Sequence, residues 1–193
     1  MRLDILLAQA HISRKKMKQA LLKKKILVDD CPARKLSQNV DTGLQTITIE
    51  EQPVLGKPHQ YFMMNKPLGV VTANSDAKFQ TVLDLIRPED FSEDLYSVGR
   101  LDRDTSGLLL ITDNGPLGFL LLHPQYHVTK TYEVEVNGLL DGQAVQSFQK
   151  GIVFLDGTIC KPATLTIRSS SSNKSRATVT ISEGKFHQIK KMF

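Results

Sequence analysis

Between Gly99 and Gly107 the chain reads Gly-Arg-Leu-Asp-Arg-Asp-Thr-Ser-Gly, which places Arg100, Asp102, Arg103 and Asp104 within five consecutive positions. The apolar run Leu108-Leu109-Leu110-Ile111 follows directly. Glycine at each end frees the backbone to turn sharply, and a short aliphatic run bounded by turn signals reads as a buried core strand. Charge held against a core is costly unless it is paired or used. The residue types allow both. Paired, the four charges form a surface ion-pair loop worth about 0–1 kcal/mol. Used, a carboxylate serves as a nucleophile or as a proton acceptor.

The neighbouring segments must hold this loop. Residues 61–65 read as a strand stopped by the turn Lys66-Pro67-Leu68-Gly69, and residues 70–72 as its resumption. Residues 81–86 have a helical face that Pro88 ends, and residues 95–98 lead into the loop. Downstream, residues 116–122 suit a helix, 130–136 alternate as a half-buried strand, and 141–150 form a helix opened by an acidic cap. Residues 152–154, 163–167 and 177–181 read as strands, with the serine cluster at 169–175 as a solvated loop. Residues 183–193 open a helix that breaks off in mid-course, so a longer native chain is expected. Many strands with few helices predict an α+β fold with a mixed, largely antiparallel sheet.

Charge is unevenly placed. Residues 1–50 hold ten Lys or Arg and five acids, an excess equal to the net +5 of all 193 residues. A small basic module fused to a balanced body suggests a polyanionic partner. Within the module, Leu3, Leu6, Leu7 and Ala10 share a helical face. Ser13 is placed to cap a second helix with Met17, Ala20, Leu21 and Leu22 inward. Arg14, Lys15, Lys18 and the run Lys23-Lys24-Lys25 then lie outward. Residues 26–28 and 46–49 read as strands, 29–32 as a turn, and 51–58, with two prolines and a glycine, as a linker.

A hydrophobic content of 40% supports a packed core. No apolar run approaches a membrane span, and no apolar signal segment follows Met1, so a cytoplasmic protein without membrane association is expected. Cys31 and Cys160 lack metal or redox spacing and read as reduced thiols. His123, His127 and His187 have no metal spacing either.

From Met1-Arg2-Leu3-Asp4 through Ser13-Arg14 to Val28, the module resembles the S4 RNA-binding domain, with His11 where many members carry Gly and Asp29-Asp30 where Asn-Gly is common. That resemblance makes Arg14, Lys15 and Lys18 phosphate contacts, which position a protein on RNA without choosing its sequence. The rest resembles the pseudouridine synthases, in the branch that acts on ribosomal RNA and carries an S4 domain. The matching segments are Asn65-Lys66-Pro67-Leu68-Gly69, Gly99-Arg100-Leu101-Asp102 with Thr105-Ser106-Gly107-Leu108-Leu109, Lys130-Thr131-Tyr132, Lys161-Pro162-Ala163, and Glu183-Gly184 through Gln188-Ile189-Lys190. The implied division is an S4-like domain at 1–52, a linker at 53–59 and a catalytic domain at 60–193.

Carried onto these positions, the resemblance makes Asp102 the catalytic aspartate and Tyr132 the ring that stacks on the target base. Lys190 becomes the basic partner of the aspartate, where many relatives have Arg; Lys offers a point charge in place of a planar fork. Arg100 supports the site, and Lys66 and Arg103 meet RNA. Plainer roles stand beside these: packing for Tyr132, a turn for Lys66, structural ion pairs for the arginines. Asp104 invites comparison with two-carboxylate glycosidases, but the resemblance places catalysis on Asp102 alone. The implied reaction breaks the N1–C1′ bond of a uridine, turns the base and joins C5 to C1′, which needs no cofactor and no metal. The closing segment from Gly184 to Phe193 looks closest to small-subunit members, so 16S ribosomal RNA, free or in a 30S assembly intermediate, is the expected partner of a monomeric enzyme. A reading from another class is a non-catalytic S4-domain RNA-binding or ribosome-assembly protein with a degenerate synthase domain.

Overall fold

A computed structural model describes every residue from Met1 to Phe193, and the chain forms two compact units, Met1–Leu120 and Leu121–Phe193. The first begins with helices α1 (Leu3–Gln9) and α2 (Arg14–Leu22). Ser13 caps α2 by accepting a hydrogen bond from the Lys16 amide. Leu3, Leu6, Leu7, Met17 and Ala20 are buried against a small antiparallel sheet. Its strands are β1 (Ile26–Val28), β2 (Cys31–Pro32), β3 (Ile47–Ile49) and β4 (Gln52–Pro53), in the order β2-β1-β3-β4. Leu22, expected inward, is 83% exposed. At about 100° per residue it falls well off the arc that Met17, Ala20 and Leu21 share. Ala10 lies past the end of α1 and is exposed too.

Both outer hairpins turn on two residues of positive φ, Asp29-Asp30 and Glu50-Glu51. This twist suits the flanking strands and normally selects Asn-Gly. Asp29 offsets the strain by accepting from the Thr46 amide and the Gln45 side chain. The second hairpin corrects the linker expected at 51–58: Gln52–Pro53 is a strand, and Val54 is buried in the module core.

A second antiparallel sheet follows: β5 (Tyr61–Lys66), β6 (Tyr96–Val98) and β7 (Gly107–Thr112), in the order β5-β7-β6. Strand β7 is not buried throughout. Leu109 and Ile111 face the core while Leu108 is 66% exposed, the alternation of a sheet covered on one face. Residues 70–72 do not resume a strand. After the turn at Gly69 (φ 85°), Val71 makes one parallel bridge to Thr81. The helix expected at 81–86 shrinks to one 3-10 turn, Leu83–Leu85, in which Thr81 and Asp84 bond reciprocally to each other's amides. Helix α3 (Gly115–Leu122) follows β7, with the Asn114 side chain accepting from the Leu117 amide.

The second unit contains β8 (Lys130–Asn137), α4 (Gly142–Lys150), β9 (Thr164–Ser170), β10 (Lys174–Ile181) and α5 (Gln188–Met192). Its antiparallel sheet has the order β8-β10-β9, and its core gathers Phe148, Leu165, Val179, Ile181 and Met192. Asp141 caps α4 by accepting from the Gln143 and Ala144 amides. The serine cluster is not a loop: β9 runs to Ser170 and β10 starts at Lys174. Ser175 is fully buried because its hydroxyl donates to the Gly138 carbonyl and accepts from the Leu140 amide. Residues 152–154 form no strand, only a bridge from Val153 to Ile159. The closing helix begins at Gln188, later than expected, because His187 is left-handed at φ 52°.

Gly151 has φ 97°, and a Cβ there would collide with the Cys160 carbonyl oxygen. Gly151→Ala should therefore lower unfolding free energy by about 2 kcal/mol or more, measured by urea denaturation. A change below about 0.5 kcal/mol, usual for a surface position, would contradict this packing.

Candidate active site

The reversal from β6 to β7 is the charged loop. Gly99 (φ 91°) and Gly107 (φ 128°) both take backbone angles that side chains rarely adopt. Between them the main chain is fixed at alternate residues. Thr72 brackets Leu101: its hydroxyl donates to the Leu101 carbonyl (2.7 Å) and accepts from the Leu101 amide (3.2 Å). The Gly69 amide donates to the Arg103 carbonyl at 2.7 Å, and the Thr105 amide donates to the Asp102 carbonyl at 3.0 Å. Lys66, at the end of β5 opposite Gly107, closes the set. Its ammonium donates to the carbonyls of Thr105 (2.8 Å), Pro67 (2.9 Å) and, more distantly, Arg103 (3.5 Å).

Lys66 has no exposure at all. Burial pulls its pKa below that of an ordinary lysine, against the opposing pull of the Asp104 and Asp102 carboxylates. An RNA contact, expected for Lys66 from the sequence, is ruled out, because a fully buried ammonium turned to backbone carbonyls cannot reach a phosphate. It shapes the loop instead. Asp102 is half-buried on this frame, and Arg100, Arg103 and Asp104 are exposed. The Arg103 guanidinium lies 4.4 Å from the centre of the Phe79 ring, a cation–π contact that steadies it at the surface. Thr72 and Phe79 were not singled out from the sequence. A threonine after two valines looks like one more strand residue, and only the turn at Gly69 brings its hydroxyl to the loop.

Tyr132 and Lys190 belong to the second unit. Tyr132 lies in β8 opposite Val179, half-buried and packed on that unit's core. Lys190 is exposed on α5, whose opposite side buries Met192; Phe193 just beyond sets its ring 5.0 Å from that of Phe148. The approach to α5 is braced by Glu183, whose carboxylate accepts from the Lys161 amide (2.9 Å) and the Gln188 side chain (2.8 Å). Gln188, only 4% exposed, in turn accepts from the Lys185 amide. Lys161 and the segment from Glu183 to Gln188 are therefore one hydrogen-bonded assembly, a link that their separation in sequence hides.

In the basic module Arg14, Lys15 and Lys18 are exposed along α2, while Lys16 pairs with Glu50 at 3.1 Å. No group of three or more His, Cys, Asp or Glu side chains is arranged to hold a metal, and no helix is long and apolar enough to cross a membrane.

Residues 60–193 match the family described as RNA pseudouridylate synthase. Across its whole length the chain is 39% identical to an uncharacterized RNA pseudouridine synthase of Bacillus subtilis, covering 81% of that protein. It is 34% identical to ribosomal small subunit pseudouridine synthase A of Pseudomonas aeruginosa, covering all of this chain and 83% of the relative. Ribosomal large subunit pseudouridine synthase B of Bacillus subtilis is 32% identical, with 100% and 79% covered. A crystal structure of a pseudouridylate synthase superposes with a TM-score of 0.64 and 29% identity, over all of this chain and 82% of the other.

Lys66→Met keeps the aliphatic stem and removes the donor. It should cost about 2–4 kcal/mol of unfolding free energy, since buried carbonyls would lose their partner. A loss under about 0.5 kcal/mol would contradict the clamp.

Proposed function

The chain belongs to the RNA pseudouridylate synthase family, and we propose that it is a ribosomal RNA pseudouridine synthase working through Asp102. As an isomerase it moves a uracil from an N1–C1′ to a C5–C1′ link on the same ribose, so atoms and electrons balance without a co-reactant. The observation that carries the assignment is the loop: a half-buried carboxylate whose backbone is fixed at Leu101, Arg103 and Thr105. A reacting group held in that way loses little orientation freedom when substrate arrives. From it the Asp102 carboxylate either attacks C1′ or removes the C2′ proton; both routes release the base so that it can turn.

The base must leave the RNA stack to be turned, and Tyr132 is proposed as its aromatic platform. Lys190 is proposed as the basic partner of the aspartate, and Arg100 as a support of the same site. Arg103, steadied on Phe79, is proposed to meet RNA beside the target. Residues 1–52 serve as the S4-like module, whose Arg14, Lys15 and Lys18 take phosphates, with residues 60–193 as the catalytic domain. The two-helix and small-sheet arrangement supports that reading. For the substrate we favour 16S ribosomal RNA or a 30S intermediate, supported by the identity to the Pseudomonas aeruginosa small-subunit enzyme and by the segment Gly184 to Phe193. We place the enzyme in the cytoplasm as a monomer.

With purified protein and 16S transcript, Asp102→Asn should reduce pseudouridine formation to background while RNA affinity stays within about threefold, as expected for a group acting in the transition state. Turnover surviving the change would overturn the assignment. Replacing Arg14, Lys15 and Lys18 together by Ala should flatten the log–log salt dependence of RNA binding by about 2–3, one increment of roughly 0.7–0.9 per lost phosphate contact. An unchanged slope would place the phosphates elsewhere.

A further inference from the structure

The joint between the basic module and the β5-β7-β6 sheet makes specific contacts with the module. A free seven-residue segment such as 54–60 would let its ends wander over roughly 15 Å. Here Val54 is buried in the module core, and Gly56 lies so close to Leu6 and Thr42 that a Cβ would not fit without displacement. Pro58 packs on Gly43, where an added Cβ would lie 3.2 Å from the proline Cβ. Beyond the joint, three polar side chains meet. The Tyr61 hydroxyl donates to the Asp41 carboxylate, and the Asn114 amide donates to Tyr61 Oη (2.8 Å) and to Asp41 (3.2 Å). Asp41 belongs to the module, Tyr61 begins β5, and Asn114 follows β7. Asp41 and Asn114 are both buried.

A second chain of contacts runs beside the first. The Met1 amine donates to the Val40 carbonyl (2.7 Å) and meets His59 Nε2 (3.0 Å), while His59 Nδ1 meets Asp113 at 2.8 Å. Asp113 also accepts from the Gln60 amide. Burial alone would raise the Asp41 pKa, but hydrogen bonds from Tyr61 and the Gly43 amide, with the charges of His59 and the amino terminus, hold it below the ordinary carboxylate range. The bonds to Asp41 are therefore charge-assisted, the stronger kind.

We propose that Asp41, Tyr61 and Asn114 form a latch that fixes the basic face of α2 relative to the Asp102 loop, so that the module acts as a ruler for where the loop meets RNA. These are positioning residues; none touches the reacting atoms. A tethered module would raise the local concentration of RNA at the loop for many registers. A latched module favours the one register in which both surfaces engage at once. Only this consequence rests on the function proposed above; the latch itself is a statement about geometry.

The test uses the full chain with spin labels on the exposed native Cys31 and on a cysteine introduced by Glu93→Cys, with buried Cys160 replaced by Ala. The parent should give one narrow distance distribution, and Asp41→Asn with Tyr61→Phe should broaden it. Tyr61→Phe alone keeps the ring and tests the latch with least risk to folding. In the same variants KM for full-length 16S transcript should rise about tenfold, the worth of a charge-assisted hydrogen bond. The turnover number, and both constants on a short RNA holding only the target uridine, should not change. A broad distribution in the parent, an unchanged width in the variants, or an equal loss on both RNAs would overturn the proposal. Because the distance measurement needs no turnover, it decides the latch even if the chain acts on another RNA.

Discussion

Lys66 places an ammonium where it has no exposure, and the backbone carbonyls of Pro67, Arg103 and Thr105 make that position tolerable. An isolated buried charge would cost several kcal/mol. Here the ion is surrounded by the carbonyls of the loop that it must shape, with the Asp102 and Asp104 carboxylates adding favourable potential. The dependence runs both ways: the loop satisfies the lysine, and the lysine fixes the loop. Thr72 and the Gly69 amide complete the hold from the neighbouring turn. Without that hold, the carboxylate proposed as reactive would sample many orientations, and fixing one of them on the way to the transition state would raise the barrier.

The same economy of means recurs in the second unit. Glu183 and Gln188 tie the residue 161 strand-side loop to the start of α5, so a five-residue helix far too short to be stable alone is set in place. Met192, buried on the other side of that helix, leaves Lys190 exposed. In both units the side chains proposed for chemistry sit on backbone that other side chains hold by hydrogen bonds to main-chain groups.

Much of the fold was legible in the sequence. The caps at Ser13 and Asp141, the alternation of 130–136 and the burial of Leu3, Leu6, Leu7, Met17 and Ala20 follow from local rules that the structure obeys. Most of the departures occur where tertiary partners decide. The serines of 169–175 look solvated until Gly138 and Leu140 supply partners for Ser175. The run Leu108 to Ile111 looks wholly buried because its composition is uniform, but the sheet is covered on one face only. Residues 51–58 look like a linker because prolines and glycines mark loops, whereas Gly56 packs so close to Leu6 that a Cβ there would displace it. At the loop itself, residue types alone allowed an ion-pair turn as readily as a site. The role of Lys66 could not be read from its neighbours, since a lysine in a Pro-Gly turn is ordinarily solvated.

The central claim is that the Asp102 loop converts a uridine of ribosomal RNA to pseudouridine. Mapping pseudouridines across both ribosomal RNAs in cells with and without this gene tests it most directly. One 16S position should lose its modification in the deletion strain, and the gene should restore it when carrying Asp102 but not when carrying Asn at that position. An unchanged map, or restoration by the Asp102→Asn gene, would contradict it.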